Sequence, residues 1–256
     1  MSEAAIGDAE RAVLLALADD EHLMGQRHTE WIGVAPFLEE DLAFSSIAQD
    51  ELGHAAMVYE LVLDAERESG AGAGDVDRLA FEREPSAYRS CWLVEAPCTD
   101  WAEALVRHWL YDAAEELRWG ALGHSSHAGI AGIAARALHE ERYHRRHADA
   151  LLDALGTDRA AGERVDTALR RLLPLGAAVF ESPAESAEGA DRGVVGPPLE
   201  ELAGAWQSRV AERFGAIEWS TIEPPLQSGR TARSEWFDEV YGRMREVLLL
   251  DPGAAW

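Results

Sequence analysis

The sequence predicts an all-α protein: a four-helix bundle of two antiparallel helical hairpins joined by a long crossover, with further helices after it. Three observations predict this. Apolar residues recur with the helical period nearly throughout, and no alternating strand pattern appears. Glycines and prolines, which end helices, lie far enough apart to leave four long uninterrupted stretches. The 256 residues are 47% hydrophobic, enough for a packed core, and the length allows one or two domains. We expect one domain over 1–256, with the bundle core in 1–155 and an additional helical layer in 156–256.

The first helix is expected from Asp8 to Trp31, stopping near Gly33. Pro36 opens the second, which reaches about Glu68. The Gly/Ala/Asp-rich stretch from Ser69 to Asp77 reads as loop, and an irregular connection continues through Pro85 and Pro97. Asp100, with Glu103 three residues on, resembles a capping box and starts the third helix, which runs to about His124. After a turn at Ser125–Gly129 the fourth helix runs to Leu155, with Gly156 as its stop. Less regular helices are expected over 159–180, 197–219 and 234–249, the first two separated by a Gly/Pro/Ala/Ser-rich segment.

Composition excludes several partners. Acidic residues number 47 against 23 basic ones, every one of them Arg, for a net charge of -24. Nucleic acid and anionic membrane would both repel such a chain. The acid excess also suits a cytoplasm of high ionic strength, where screening weakens self-repulsion. The early apolar run Ala12–Ala18 is stopped by Asp19 and Asp20, too short for a bilayer and without the basic flank of a signal peptide. Cys91 and Cys98 match no metal or redox spacing and are expected as reduced thiols. A cytoplasmic protein is expected.

Two E-x-x-H patterns carry the chemistry: Glu51 with His54 on the second helix, Glu141 with His144 on the fourth. Residues three apart share a helix face, so each carboxylate points the same way as its imidazole. Chance alone would supply roughly one such pattern in a chain of this composition. Placement adds weight, because these faces are otherwise apolar, with Ile47, Val58 and Leu61 beside one pair and Ala134, Ala137, Ala148 and Leu151 beside the other. Buried charges there need a positive partner. The remaining two helices offer Glu21, beside Leu14, Leu17 and Met24, and Asp112, beside Leu105, Trp109 and Trp119. Taken singly, Glu21 would be an exposed acid next to Asp19, Asp20 and His22, and Glu115 and Glu116 rival Asp112. The separations 21 to 51 and 112 to 141 are 30 and 29 residues, so each hairpin brings its carboxylate level with its E-x-x-H pair. This is the pattern of a ferritin-like dimetal site. Four carboxylates and two neutral imidazoles balance two divalent ions, and the donor set suits iron or manganese. His28, further along the first helix, is expected to pack rather than to ligate.

The stretch EWIGVAPFLEEDLAFSSIAQDELGHA (Glu30–Ala55) resembles the C-type subunits of the bacterial phenylacetyl-CoA epoxidases. So do LVEAPCTDWAEALVRHWLYDAAE (Leu93–Glu115), EERYHRRHADALL (Glu140–Leu152) and the final PGAAW (Pro252–Trp256), so the resemblance spans essentially the whole chain. It implies a ferritin-like fold and a place in a hetero-oligomeric, multicomponent monooxygenase. That assembly epoxidises the ring of a coenzyme A thioester, phenylacetyl-CoA, with oxygen and with electrons from a separate NADPH-dependent flavin/iron–sulfur reductase. The resemblance implies pairing with a catalytic A-type di-iron subunit and a scaffolding role in which the metal site is typically eroded. Here the chain departs from the family pattern: Glu21, Glu51, His54, Asp112, Glu141 and His144 are all present. A self-sufficient di-iron oxygenase or oxidase acting on an aromatic or acyl-CoA substrate is therefore the alternative. A ferritin-like iron or peroxide handler fits less well, given the roughly one hundred residues beyond the bundle. The arginine clusters Arg142/Arg145/Arg146 and Arg170/Arg171 are candidate contacts for an acidic A-type partner or for coenzyme A phosphates. Trp109, Trp119 and Met24 are candidates for an apolar lining.

Overall fold

A computed structural model describes residues 5–70, 74–187 and 189–251, so the PGAAW end lies outside the described residues. The first hairpin pairs α1 (Asp8–Thr29) with α2 (Leu38–Ser69). The crossover carries two short helices, α3 (Val76–Phe81) and α4 (Trp92–Glu95). The second hairpin pairs α5 (Trp101–Leu122) with α6 (Ala128–Gly156), and α2 packs on α6 to close the bundle. The later helices are α7 (Arg159–Ala177), α8 (Arg192–Val195), α9 (Ala203–Phe214), α10 (Phe237–Met244) and α11 (Glu246–Leu250). Among the described residues there is no strand, and no helix is long and apolar enough to cross a membrane.

Local chemistry sets the starts of the long helices. At α1 the Glu10 carboxylate accepts from the Gly7 N–H, satisfying a donor outside the helix ladder. Glu39, Glu40 and Asp41 sit in the first turn of α2, where the helix dipole favours negative charge. At α5 the Asp100 carboxylate accepts from the Glu103 N–H, as the spacing predicts. Glu103, however, accepts from the N–H and hydroxyl of Thr99 rather than from Asp100. The box is displaced by one residue.

Two apolar clusters fill the bundle. One contains Leu14, Leu17, Ala55, Val58, Trp119, Ile130 and Ala137; the other contains Leu23, Met24, Phe44, Leu105, Trp109 and Ala148, and runs on into Leu172 and Trp206. On α1, α2 and α6 the expected ligands fall in the gap between them: Glu21 between Ala18 and Leu23, Glu51 and His54 between Phe44 and Ala55, Glu141 and His144 between Ala137 and Ala148. A polar layer is thus shut off at both ends by hydrocarbon.

After α6 the chain follows expectation through α7, which a 3-10 turn extends to Phe180, and departs from it beyond. The helix expected over 197–219 is only α9, because Pro197 and Pro198 precede it and Gly215 turns away at φ 90°. Short 3-10 turns at Leu199–Glu201 and Trp219–Thr221 flank it. The helix expected over 234–249 breaks at Arg245 into α10 and α11. The layer is nonetheless attached firmly: α7 and α9 pack on α5, and the Trp206 indole N–H donates to the Leu110 carbonyl at 2.9 Å.

Candidate metal centre

Each helix of the bundle delivers its expected acidic ligand inward. Glu21, Glu51, His54, Asp112, Glu141 and His144 are all fully buried. Their ligand atoms form two overlapping groups, each within a 4.8 Å span: Glu21, Glu51, His54 and Glu141 in one, Glu51, Asp112 and His144 in the other. Glu51 belongs to both. The rivals of Asp112 are otherwise engaged, since Glu115 accepts from Arg118, and Glu116 from Arg145 and Arg209.

The imidazoles are held in a reciprocal way. His54 Nδ1 lies 2.9 Å from Glu21 Oε2, and its Nε2 lies 2.7 Å from Glu140 Oε2. His144 Nδ1 lies 3.4 Å from Glu141 Oε1, and its Nε2 3.2 Å from Asp50 Oδ2. Asp50 directly precedes Glu51 on α2 and secures the histidine of α6; Glu140 directly precedes Glu141 on α6 and secures the histidine of α2. A carboxylate on the far nitrogen fixes the ring and its tautomer, leaving Nδ1 to face the centre. Neither acid was expected at the site, although both adjoin an E-x-x-H pattern in the sequence.

Burial dominates the electrostatics. It opposes ionisation of Glu21, but the hydrogen bond and charge of His54 outweigh it and hold the carboxyl below its ordinary value. Burial also opposes charge on His54, but Glu21 and Glu141 outweigh it and raise the imidazole to about 9. Glu51 is pushed well up by burial and by the charges of Glu21 and Glu141. Burial likewise raises Asp112 well above its ordinary value, and Glu141 to about 7 against the pull of His144.

The fit to a cation rests on unsatisfied atoms. Both carboxylate oxygens of Glu51, Glu141 and Asp112, and Nδ1 of His144, are buried without a hydrogen-bond partner. Buried polar groups in that condition are rare, and a cation between them would satisfy these. Imidazole with carboxylate, shared through Glu51, is a donor set able to hold two divalent ions.

The chain matches known proteins over its full length. The family model described as Phenylacetic acid catabolic protein matches residues 2–256. The chain belongs to that family. It is 31% identical over 253 residues to the C subunit of the 1,2-phenylacetyl-CoA epoxidase of Escherichia coli (strain K12), covering 96% of this chain and 98% of that protein.

Other parts of the chain meet expectation in some places and depart from it in others. Asp19 and Asp20, beside Glu21, are buried too: Asp19 accepts from Tyr59, Arg83 and the Arg89 N–H, and Asp20 from Arg118, Arg230 and the Cys91 N–H. His28 packs as expected, edge-on to Phe44 and His108. His108 was missed, though it lies one turn before Asp112, with Nδ1 at 3.2 Å from Asp112 Oδ2. Trp119 sets its ring 5.6 Å from that of His54, whereas Trp109 packs on Phe214 and donates to Asp149, on the side of α9. Arg145 is an internal brace, pairing with Glu116 and lying over the Trp109 ring. Arg171 pairs with Glu103, which leaves Arg142, Arg146 and Arg170 exposed.

Proposed function

We propose that this chain is a subunit of a multicomponent phenylacetyl-CoA epoxidase in aerobic phenylacetate breakdown. In this proposal it is the partner and scaffold of a catalytic A-type subunit, and its own centre binds two iron ions, or manganese, through Glu21, Glu51, His54, Asp112, Glu141 and His144. The observation that carries the metal centre is their convergence in a buried layer with unsatisfied ligand atoms on Glu51, Asp112, Glu141 and His144. The full-length similarity to the C subunit of an epoxidase supports the assembly.

The roles follow from the geometry. Glu51 bridges the two ligand groups, Glu21 and Asp112 close opposite sides, and His54 and His144 offer Nδ1 while Glu140 and Asp50 hold their outer nitrogens. Trp119 and the two apolar clusters exclude water from the layer. Bound here, iron supplies redox chemistry toward oxygen. Electrons come from the separate NADPH-dependent flavin/iron–sulfur reductase, and the substrate is phenylacetyl-CoA or a related thioester. The intact ligand set is the specific observation that favours a second reading, a self-sufficient di-iron oxygenase.

Metal content and oxygen consumption of the purified chain, alone and with an A-type subunit and reductase, test both readings. The proposal expects two bound ions, and thioester-dependent oxygen uptake only when the partner is present. Uptake by the chain with reductase alone would establish the second reading. A chain that takes up no metal has no such centre.

A further inference from the structure

Glu21 differs from the other three carboxylates of the layer. Both of its oxygens are engaged, Oε2 by His54 and Oε1 by the Tyr111 hydroxyl, which donates at 3.0 Å. Glu51, Asp112 and Glu141 have no hydrogen bond on either oxygen. Tyr111 is itself fully buried, and its oxygen accepts from Arg118 Nη2 at 3.1 Å. Arg118 also donates to Asp20, whose Oδ2 accepts from Arg230 Nη1 at 2.8 Å.

Arg230 comes from a distant part of the chain and is placed there at a conformational cost. Ser228, Gly229 and Arg230 are consecutive left-handed residues, with φ 53°, 63° and 61°. Side chains other than glycine rarely adopt that region, and such strain persists only where its surroundings over-determine it. Here the surroundings are the carbonyls of Val179, Glu181 and Arg89, together with Asp20, all accepting from a guanidinium with no solvent exposure. A hydrogen-bonded chain therefore runs from the C-terminal layer to one ligand: Arg230, Asp20, Arg118, Tyr111, Glu21.

We infer that Tyr111 is a positioning residue for Glu21, fixing it as the immobile ligand of the centre and tying it through Arg118 and Asp20 to the segment around Arg230. Glu51, Asp112 and Glu141 carry no such tether, their nearest imidazoles, His108 at 3.2 Å from Asp112 and His144 at 3.4 Å from Glu141, making only ion-pair contacts, so the ion held by Glu21 has the stiffer site. The inference rests on the metal centre proposed above.

Cobalt(II) titration of the whole chain, followed by its visible absorption, tests it. Wild-type protein is expected to bind two ions in two steps. Tyr111→Phe keeps the ring and removes only the hydroxyl. It should weaken one step by roughly ten- to a hundred-fold and shift that step's absorption band, leaving the other step and the metal-free melting temperature close to wild type. Arg118→Lys keeps the charge beside Asp20 but loses the fork that reaches Tyr111, and should affect the same step. If Tyr111→Phe folds and both steps match wild type, Tyr111 is a space-filling aromatic and the inference is overturned. If Tyr111→Phe does not fold, Arg118→Lys decides the matter by the same criterion, and loss of the fold in both overturns a positioning role. Wild-type protein that takes up no cobalt would instead bring down the metal centre itself.

Discussion

Because Glu51 is shared by both ligand groups while Asp112 belongs to one, their removal should have unequal consequences. Asp112→Asn is expected to leave about one ion per chain and Glu51→Ala well under one, against two for wild type, measured as bound metal after gel filtration. Equal loss in the two variants would contradict the shared role of Glu51. The raised imidazole of His54 gives a second expectation. His54, raised to about 9 from an ordinary 6.5, is protonated in the folded chain where the unfolded chain is neutral. Its contribution is complete below pH 6.5 and is lost as pH climbs to about 9. Buried His22 and His108, held down to about 4 and about 3, act in the opposite sense, but only below pH 6.5. The melting temperature of the chelator-treated protein should therefore fall between pH 7 and 9, and the stabilisation from added divalent metal should grow across that range, since its ligands must lose their protons. A flat profile would show that His54 is not held protonated. The sequence pointed to the six inward residues because spacing along a helix determines which face a side chain occupies. It hid Asp50, Glu140 and Tyr111, whose partners lie on other helices, and it hid the burial of Asp20, which depends on an arginine 210 positions away.

Helix-to-helix distance is set as much by small residues as by large ones. A Cβ on Gly25 would lie 2.8 Å from Leu52 Cγ and 3.2 Å from the Ala48 carbonyl oxygen. Gly25 is one turn beyond Glu21, and Leu52 directly follows Glu51, so this close approach sets the spacing of the two carboxylates. Gly25→Ala should force α1 and α2 apart, costing about 1–3 kcal/mol of stability and lowering metal affinity with it. Gly53 is the control: a Cβ there meets nothing within 4 Å, and Gly53→Ala should be neutral or stabilising by up to about 1 kcal/mol. Denaturant unfolding with metal titration reads both variants, and an unperturbed Gly25→Ala would mean that the interface has slack. The four long helices could be placed from sequence to within a few residues, because their caps and stops are local. So could α7, which begins at Arg159 as expected. The helices beyond it could not, since two prolines and a glycine cut the periodic stretch of 197–219 down to the twelve residues of α9 and the stretch of 234–249 breaks at Arg245.

For the whole molecule the question is whether the layer after α6 is an appendage or part of one cooperative unit, as expected for 1–256. The packing favours one unit. Trp206 is fully buried with its N–H on the Leu110 carbonyl of α5, against the rings of Phe180 and Trp219, and the cluster that holds it also contains Leu23, Phe44 and Leu105 of the bundle. Arg230 reaches equally far inward, supplying half of the positive charge that Asp20 of α1 meets. With a net charge of -24, the chain can ill tolerate a buried carboxylate without its arginine, and stripping a partner from a buried pair costs about 3–5 kcal/mol. Trp206→Ala should therefore destabilise the entire protein by about 3–5 kcal/mol, the range for truncating a buried large aromatic. Calorimetry should show a single transition that moves down as a whole, with the bundle's buried tryptophans, Trp109 and Trp119, becoming exposed at the same temperature as the rest of the chain. Two transitions, of which Trp206→Ala shifts only one, would show that the bundle folds without its layer.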